Sequence, residues 1–138
     1  MLKVPFIDAP YEPKLSHILG ALSIYDQEET KGEVLWQYNP NDPEDREKII
    51  KSFILKDLEY LTYRHRLILI SVLKKALENP STDFSKEFES DHDKHITMAW
   101  DETEIDEPRV FFEEIYRLAS NDWEEELQKA SVEDRSTW

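Results

Sequence analysis

Between Asp42 and Asn79 the chain carries its densest apolar mass, and the spacing of that mass demands helix. Ile49, Ile50, Phe53, Ile54, Leu58 and Leu61 recur at steps of three and four, the period of one buried helix face. The stretch opens Asp42-Pro43-Glu44-Asp45. That order supplies a capping carboxylate, a proline where no amide hydrogen is needed, and acids at the positive helix end. From Leu67 to Leu73 the sequence is apolar on nearly all sides, which requires neighbours on more than one face. The polar run Thr62-Tyr63-Arg64-His65-Arg66 between them marks two helices or one bent one, and Asn79-Pro80 ends the segment.

The remainder extends the same logic to a mostly α, single-domain bundle of five or six helices. The 138 residues include only 2 glycines, too few for the tight hairpins of a many-stranded β fold. A first helix begins at Pro13 or Lys14, with Leu15, Ile18, Leu19, Leu22 and Tyr25 along one face. Phe84 and Phe88 mark a short helix. Asp106-Glu107-Pro108 repeats the acid–proline start, and Val110, Phe111, Ile115, Leu118 and Ala119 follow as a buried face. Trp123, Leu127 and Ala130 keep the helical step, with Asn121-Asp122 either capping a separate last helix or lying within a continuing one. Four segments fall outside the pattern. Residues 1–13, with three prolines, read as an extended arm whose Phe6, Ile7 and Tyr11 dock on the core; residues 26–32 read as an acidic loop. Residues 90–107 read as a long acidic loop with a short ordered piece near Ile96–Trp100, and residues 131–138 as a frayed tail. Glu33–Tyr38 is rich in strand formers and reads as one short strand rather than a short helix, although a lone strand has nothing to pair with. Trp36 and Tyr38, two apart, would share one face of it, expected in the core rather than as a contact platform.

Charge is the functional signal. The formal net charge is −14. Residues 1–82 hold 13 acids against 11 bases, whereas residues 83–138 hold 18 acids against 6 bases. Direct binding to nucleic acid is thereby disfavoured, since it depends on basic residues displacing counterions. A basic protein or a cation is the favoured partner class. The candidate partner-binding residues are Trp100, Asp101, Glu102, Glu104, Asp106 and Glu107, with Asp122, Glu124 and Glu125 (and the adjoining Trp123 and Glu126) further on. Clustered carboxylates steer a basic partner in, and tryptophan supplies the desolvated anchor that charge alone does not give. The competing explanation is that both tryptophans are core and the acids a solvated face.

Catalytic signatures are lacking: no glycine-rich phosphate loop, no G-x-S-x-G and no cysteine of any kind. A non-enzymatic role without cofactor is therefore expected. Two alternatives stay open: an adaptor or regulator whose face centres on Trp36 and Tyr38 or another apolar patch, and a metal-dependent enzyme or sensor using His92 and His95 within Asp91-His92-Asp93-Lys94-His95. His65, between two arginines, reads as a helix-surface or junction residue rather than a general base. No segment has the apolar length of a membrane helix or the pattern of a signal peptide, and absence of cysteine is compatible with a reducing cytoplasm.

A small, cysteine-free, acidic, mostly helical chain with acids flanking tryptophan (Trp100-Asp101-Glu102 and Asp122-Trp123-Glu124-Glu125) resembles the bacterial immunity proteins of contact-dependent and polymorphic toxin systems. The resemblance covers size, charge and class. It implies a cytoplasmic inhibitor that binds a basic toxin domain, in many cases a nuclease, and covers or flanks its active site. The carboxylates would then stand in for the phosphates that the toxin's lysines and arginines ordinarily meet.

Overall fold

A computed structural model describes residues 1–138. It is a helical bundle of six α-helices with shorter helical turns between them: α1 (Leu15–Ile18), α2 (Glu33–Leu35), α3 (Pro43–Ile49), α4 (Tyr63–Glu78), α5 (Pro108–Asp122) and α6 (Glu124–Ser131). α1 continues as a 3-10 turn over Leu19–Leu22, and α3 widens into a π-helical stretch over Ile50–Leu55. The only β contacts are isolated bridges. No helix is long and apolar enough to cross a membrane.

The central segment folds as its spacing requires. Asp42 accepts from the Asp45 amide at 3.0 Å, and Pro43 takes the first helical position. Thr62 caps α4, so there are two helices: the break lies just before Thr62, and Tyr63–Arg66 form the first turn of α4. Leu69, Ile70 and Leu73 of α4, Leu55 and Leu58 after α3, Ile18 of α1, Ile115 and Ala119 of α5, and Trp123 all line one small apolar void at the centre. α4 is flanked by both α5 and α6, which explains its apolar character on more than one face. The α6 side is polar at its margin: Arg66 pairs with Glu126 and lies over the Trp123 ring at 4.9 Å.

Three expectations are corrected. Glu33–Tyr38 is not a strand: a π-helical turn over Glu28–Gly32 runs into α2 and a further turn. The reason is visible in burial, because Leu35 is fully buried and Tyr38, three residues on, packs edgewise on Phe53, while Val34 and Trp36 point outward. The operative period is three, not two. The tail is not frayed: residues 135–137 form a 3-10 turn, Trp138 is buried, and Glu133 accepts from Tyr63 Oη at 2.8 Å and Arg64 Nε at 2.9 Å. The Arg64 guanidinium, followed by the Tyr63 hydroxyl, holds the Glu133 carboxyl below its usual range. In the arm, only Tyr11 docks. Cross-strand hydrogen bonds Val4 N–Ala9 O (2.8 Å) and Tyr11 N–Leu2 O (2.9 Å) close a loop that lifts Phe6 and Ile7 into solvent.

The base of that arm is tied to α4 through His65, which is buried at the junction of the two, the second of the places expected for it. Its Nε2 lies 2.6 Å from the Lys3 carbonyl and its Nδ1 2.6 Å from Thr62 Oγ1. A carbonyl can only accept, so Nε2 donates to it, while Nδ1 shares a hydrogen bond with the threonine hydroxyl. Tyr11 closes edge-on against this imidazole at 4.7 Å.

Two predictions follow from this packing. Leu69→Ala or Leu73→Ala should cost about 2–5 kcal/mol in chemical denaturation, the usual result of emptying a core site; a loss under about 1 kcal/mol would contradict the central place of α4. Burial, reinforced by the Tyr60 hydroxyl, pushes the Tyr11 hydroxyl from 10.0 up to about 12. The folded state therefore binds that proton more tightly than the unfolded chain, so stability should fall as pH rises from about 10 towards 12. Ultraviolet titration should show one late-ionising tyrosine that disappears in Tyr11→Phe; uniform ionisation of all tyrosines near the ordinary value would contradict the docked arm.

Candidate functional site

The acids proposed as one surface are divided by the fold. Asp101, Glu102, Glu104, Asp106 and Glu107 lie before α5, whereas Asp122, Glu124 and Glu125 lie at its far end. α5 has 15 residues, so at about 1.5 Å per residue the groups stand roughly 20 Å apart. They are two sites, with different surroundings. Glu124, Glu125 and Glu126 occupy the first turn of α6, where negative charge meets the positive helix end, and Glu126 is paired with Arg66. Glu126 thus has a local structural role, whereas Asp122, Glu124 and Glu125 form no ion pair.

The first group belongs to a built surface. The segments 33–46 and 99–107 are stitched together by three hydrogen bonds. Trp36 Nε1 donates to the Ala99 carbonyl at 2.8 Å. Asn41 Nδ2 donates to the Glu104 carbonyl at 2.9 Å, and Asn41 Oδ1 accepts from the Asp106 amide at 3.0 Å. Beneath them Arg46 is buried, giving its guanidinium hydrogens to the carbonyls of Pro40 and Asn41 rather than to a carboxylate. Asp101 is fixed within its loop. Its carboxylate accepts from the Thr103 hydroxyl and amide, and these bonds hold it below the usual carboxylate range.

This surface gathers Glu33, Asp42, Glu44 and Asp45 from one segment with Asp101, Glu102, Glu104, Asp106 and Glu107 from the other. None of the nine forms an ion pair. The face therefore carries no ion pair, although Asp42, Asp45, Asp101 and Glu104 each accept a backbone amide hydrogen bond, and Glu44 and Asp45 sit in the first turn of α3.

The tryptophans exchange their expected roles. Trp100 and Trp123 are both 6% exposed, so neither offers a partner any surface. Trp36, expected in the core, is 50% exposed on the first of the two joined segments. Its indole edge is turned inward by the bond to Ala99, and Cη2 and Cζ3 of the ring lie 3.4 Å from where a Cβ on Gly32 would stand. The outer edge of the six-membered ring therefore lies against that glycine. The residue most needed to join the two segments, Asn41, carries no signal in the sequence, because its function depends on a loop some sixty residues away.

The histidine cluster does not converge. Residues 92–94 form a 3-10 turn and His95 adopts a left-handed conformation (φ 57°), which places its ring edge-on to Tyr25 at 4.9 Å. No group of three or more His, Cys, Asp or Glu side chains stands where it could share a metal ion. A cleft of roughly 470 Å³ lies between the end of α1 and residues 86–98, lined by Lys14, Lys86 and Lys94 together with Glu87, Glu89 and Asp91. Burial there, reinforced by Glu89, pushes the Glu87 carboxyl up. Its mixed charges lack the single sign that marks the acidic face.

No protein-family model, curated protein or solved structure matches the chain.

Proposed function

We propose that the protein is a binding inhibitor that caps a basic protein partner with the face built from residues 33–45 and 99–107, in the manner of an immunity protein neutralising a toxin domain. The observation that carries this reading is a set of nine carboxylates without a single ion pair, on two hydrogen-bonded segments that also carry a half-exposed tryptophan. Unpaired carboxylates raise the local negative potential and speed encounter with a positive surface. Such a face would occupy the lysines and arginines with which a nuclease grips phosphates. Rigidity adds to the effect, because a backbone already held by Asn41 and Arg46 loses little further freedom on binding.

The exposure of Trp36 also favours the second reading, an adaptor that binds its partner chiefly through an aromatic patch, with acidity serving solubility. The two readings share a face and differ in what drives association. Charge-driven capture slows steeply as salt rises, since screening is felt beyond about 8 Å at physiological ionic strength; aromatic docking does not.

Capture from the source cell, or against a panel of basic nuclease domains, at low and moderate salt separates these cases. The inhibitor reading predicts a stoichiometric basic partner whose activity is lost in the complex. Reversing Glu102 and Glu104 together to lysine should weaken that complex by roughly tenfold or more, because like charges across an interface are strongly unfavourable. Reversing Glu124 and Glu125, beyond a screening length from the face, should leave it nearly unchanged while helical content stays intact in both variants. Equal losses from the two pairs, or a complex indifferent to salt, would overturn the inhibitor reading.

A further inference from the structure

We infer that the open face of Trp36 is a platform for an arginine guanidinium of the partner, stacked flat on the indole and flanked by the carboxylates around it. This inference rests on the acidic-face reading above and names the chemistry of its central contact.

The indole has one polar hydrogen, and the Ala99 carbonyl takes it at 2.8 Å. Trp36 therefore has no hydrogen bond left to offer, and what it presents to a partner is π surface. The ring meets Gly32 through its Cη2–Cζ3 edge, and the residue is nonetheless 50% exposed, so part of its π surface is open to a partner. A ring face carries negative potential and attracts cations. Glu33, one turn before it, and the acidic loop that follows its Ala99 acceptor raise the negative potential around the ring.

The same cationic contact already recurs inside the molecule. Arg66 lies over Trp123 at 4.9 Å, Arg109 over Phe84 at 4.9 Å and Arg64 over Trp138 at 5.3 Å. Trp36 is the one tryptophan left without an arginine of its own or burial in the core, since Trp100 is buried. Arginine fits better than lysine because its planar group lies flat on the ring while its hydrogens reach out sideways to carboxylates; an ammonium is a compact, strongly hydrated point charge.

The test uses the full chain with two probes of equal charge, nona-arginine and nona-lysine, titrated at low salt. The other three tryptophans are at most 8% exposed, so a change in tryptophan emission reports Trp36. Nona-arginine should bind tighter than nona-lysine by roughly two- to fivefold, with a larger emission change. In Trp36→Leu the preference should vanish while salt-sensitive binding of both peptides remains. Equal affinities in the wild type would overturn the platform and leave the acidic face standing, and that comparison needs no variant to fold. A preference that survives Trp36→Leu would also overturn it. Failure of both peptides to bind would sink the acidic-face reading and the platform together.

Discussion

The seam where α4 meets α5 and α6 is the constraint on which the rest of the structure depends. Leu69, Ile70 and Leu73 of α4 reach the same apolar centre as Ile115 and Ala119 of α5, Ile18 of α1 and Leu58 beyond α3. Removal of that apolar area from water provides the main favourable term for a chain of this size. It also has to outweigh self-repulsion from a net charge of −14, which disfavours the compact state. The polar margin of the seam helps, because Arg64 and Arg66 turn two cations towards Glu133 and Glu126 and onto aromatic rings.

Once the 15-residue α5 is fixed on that core, the placement of charge follows. The helix holds its two acidic ends apart, and only the end preceding Pro108 is joined by a second acidic segment. Asn41 does the joining by presenting a donor and an acceptor to the opposite loop, as a strand backbone would. The result is a rigid acidic face without a sheet beneath it. Residues 90–107, expected as a long loop, are indeed irregular, but Met98, Ala99, Trp100 and Ile105 anchor them in the core.

The helical bundle was legible wherever spacing and start signals agreed, as at Asp42-Pro43 and along α5. It was not legible at Glu33–Tyr38, where β-rich composition pointed one way and the Leu35–Tyr38 spacing the other. A segment so short has too few residues for a period to declare itself. The candidate site was half legible. Its acids before α5 were identifiable from charge density alone, but Trp36 and Trp100 were assigned the wrong way round. Whether a tryptophan faces in or out depends on which neighbour its indole edge finds, and Ala99 is remote in sequence from Trp36. The partner of His65 was likewise unreadable, since it is the carbonyl of Lys3.

The most direct measurement is hydrogen exchange on the complex with whatever basic protein the chain captures at low salt. The account predicts new protection confined to residues 33–45 and 99–107, with exchange in α6 and in the arm at residues 1–11 unaltered. Protection centred on α6 or on the Phe6 loop, or failure to capture any basic protein, would contradict it.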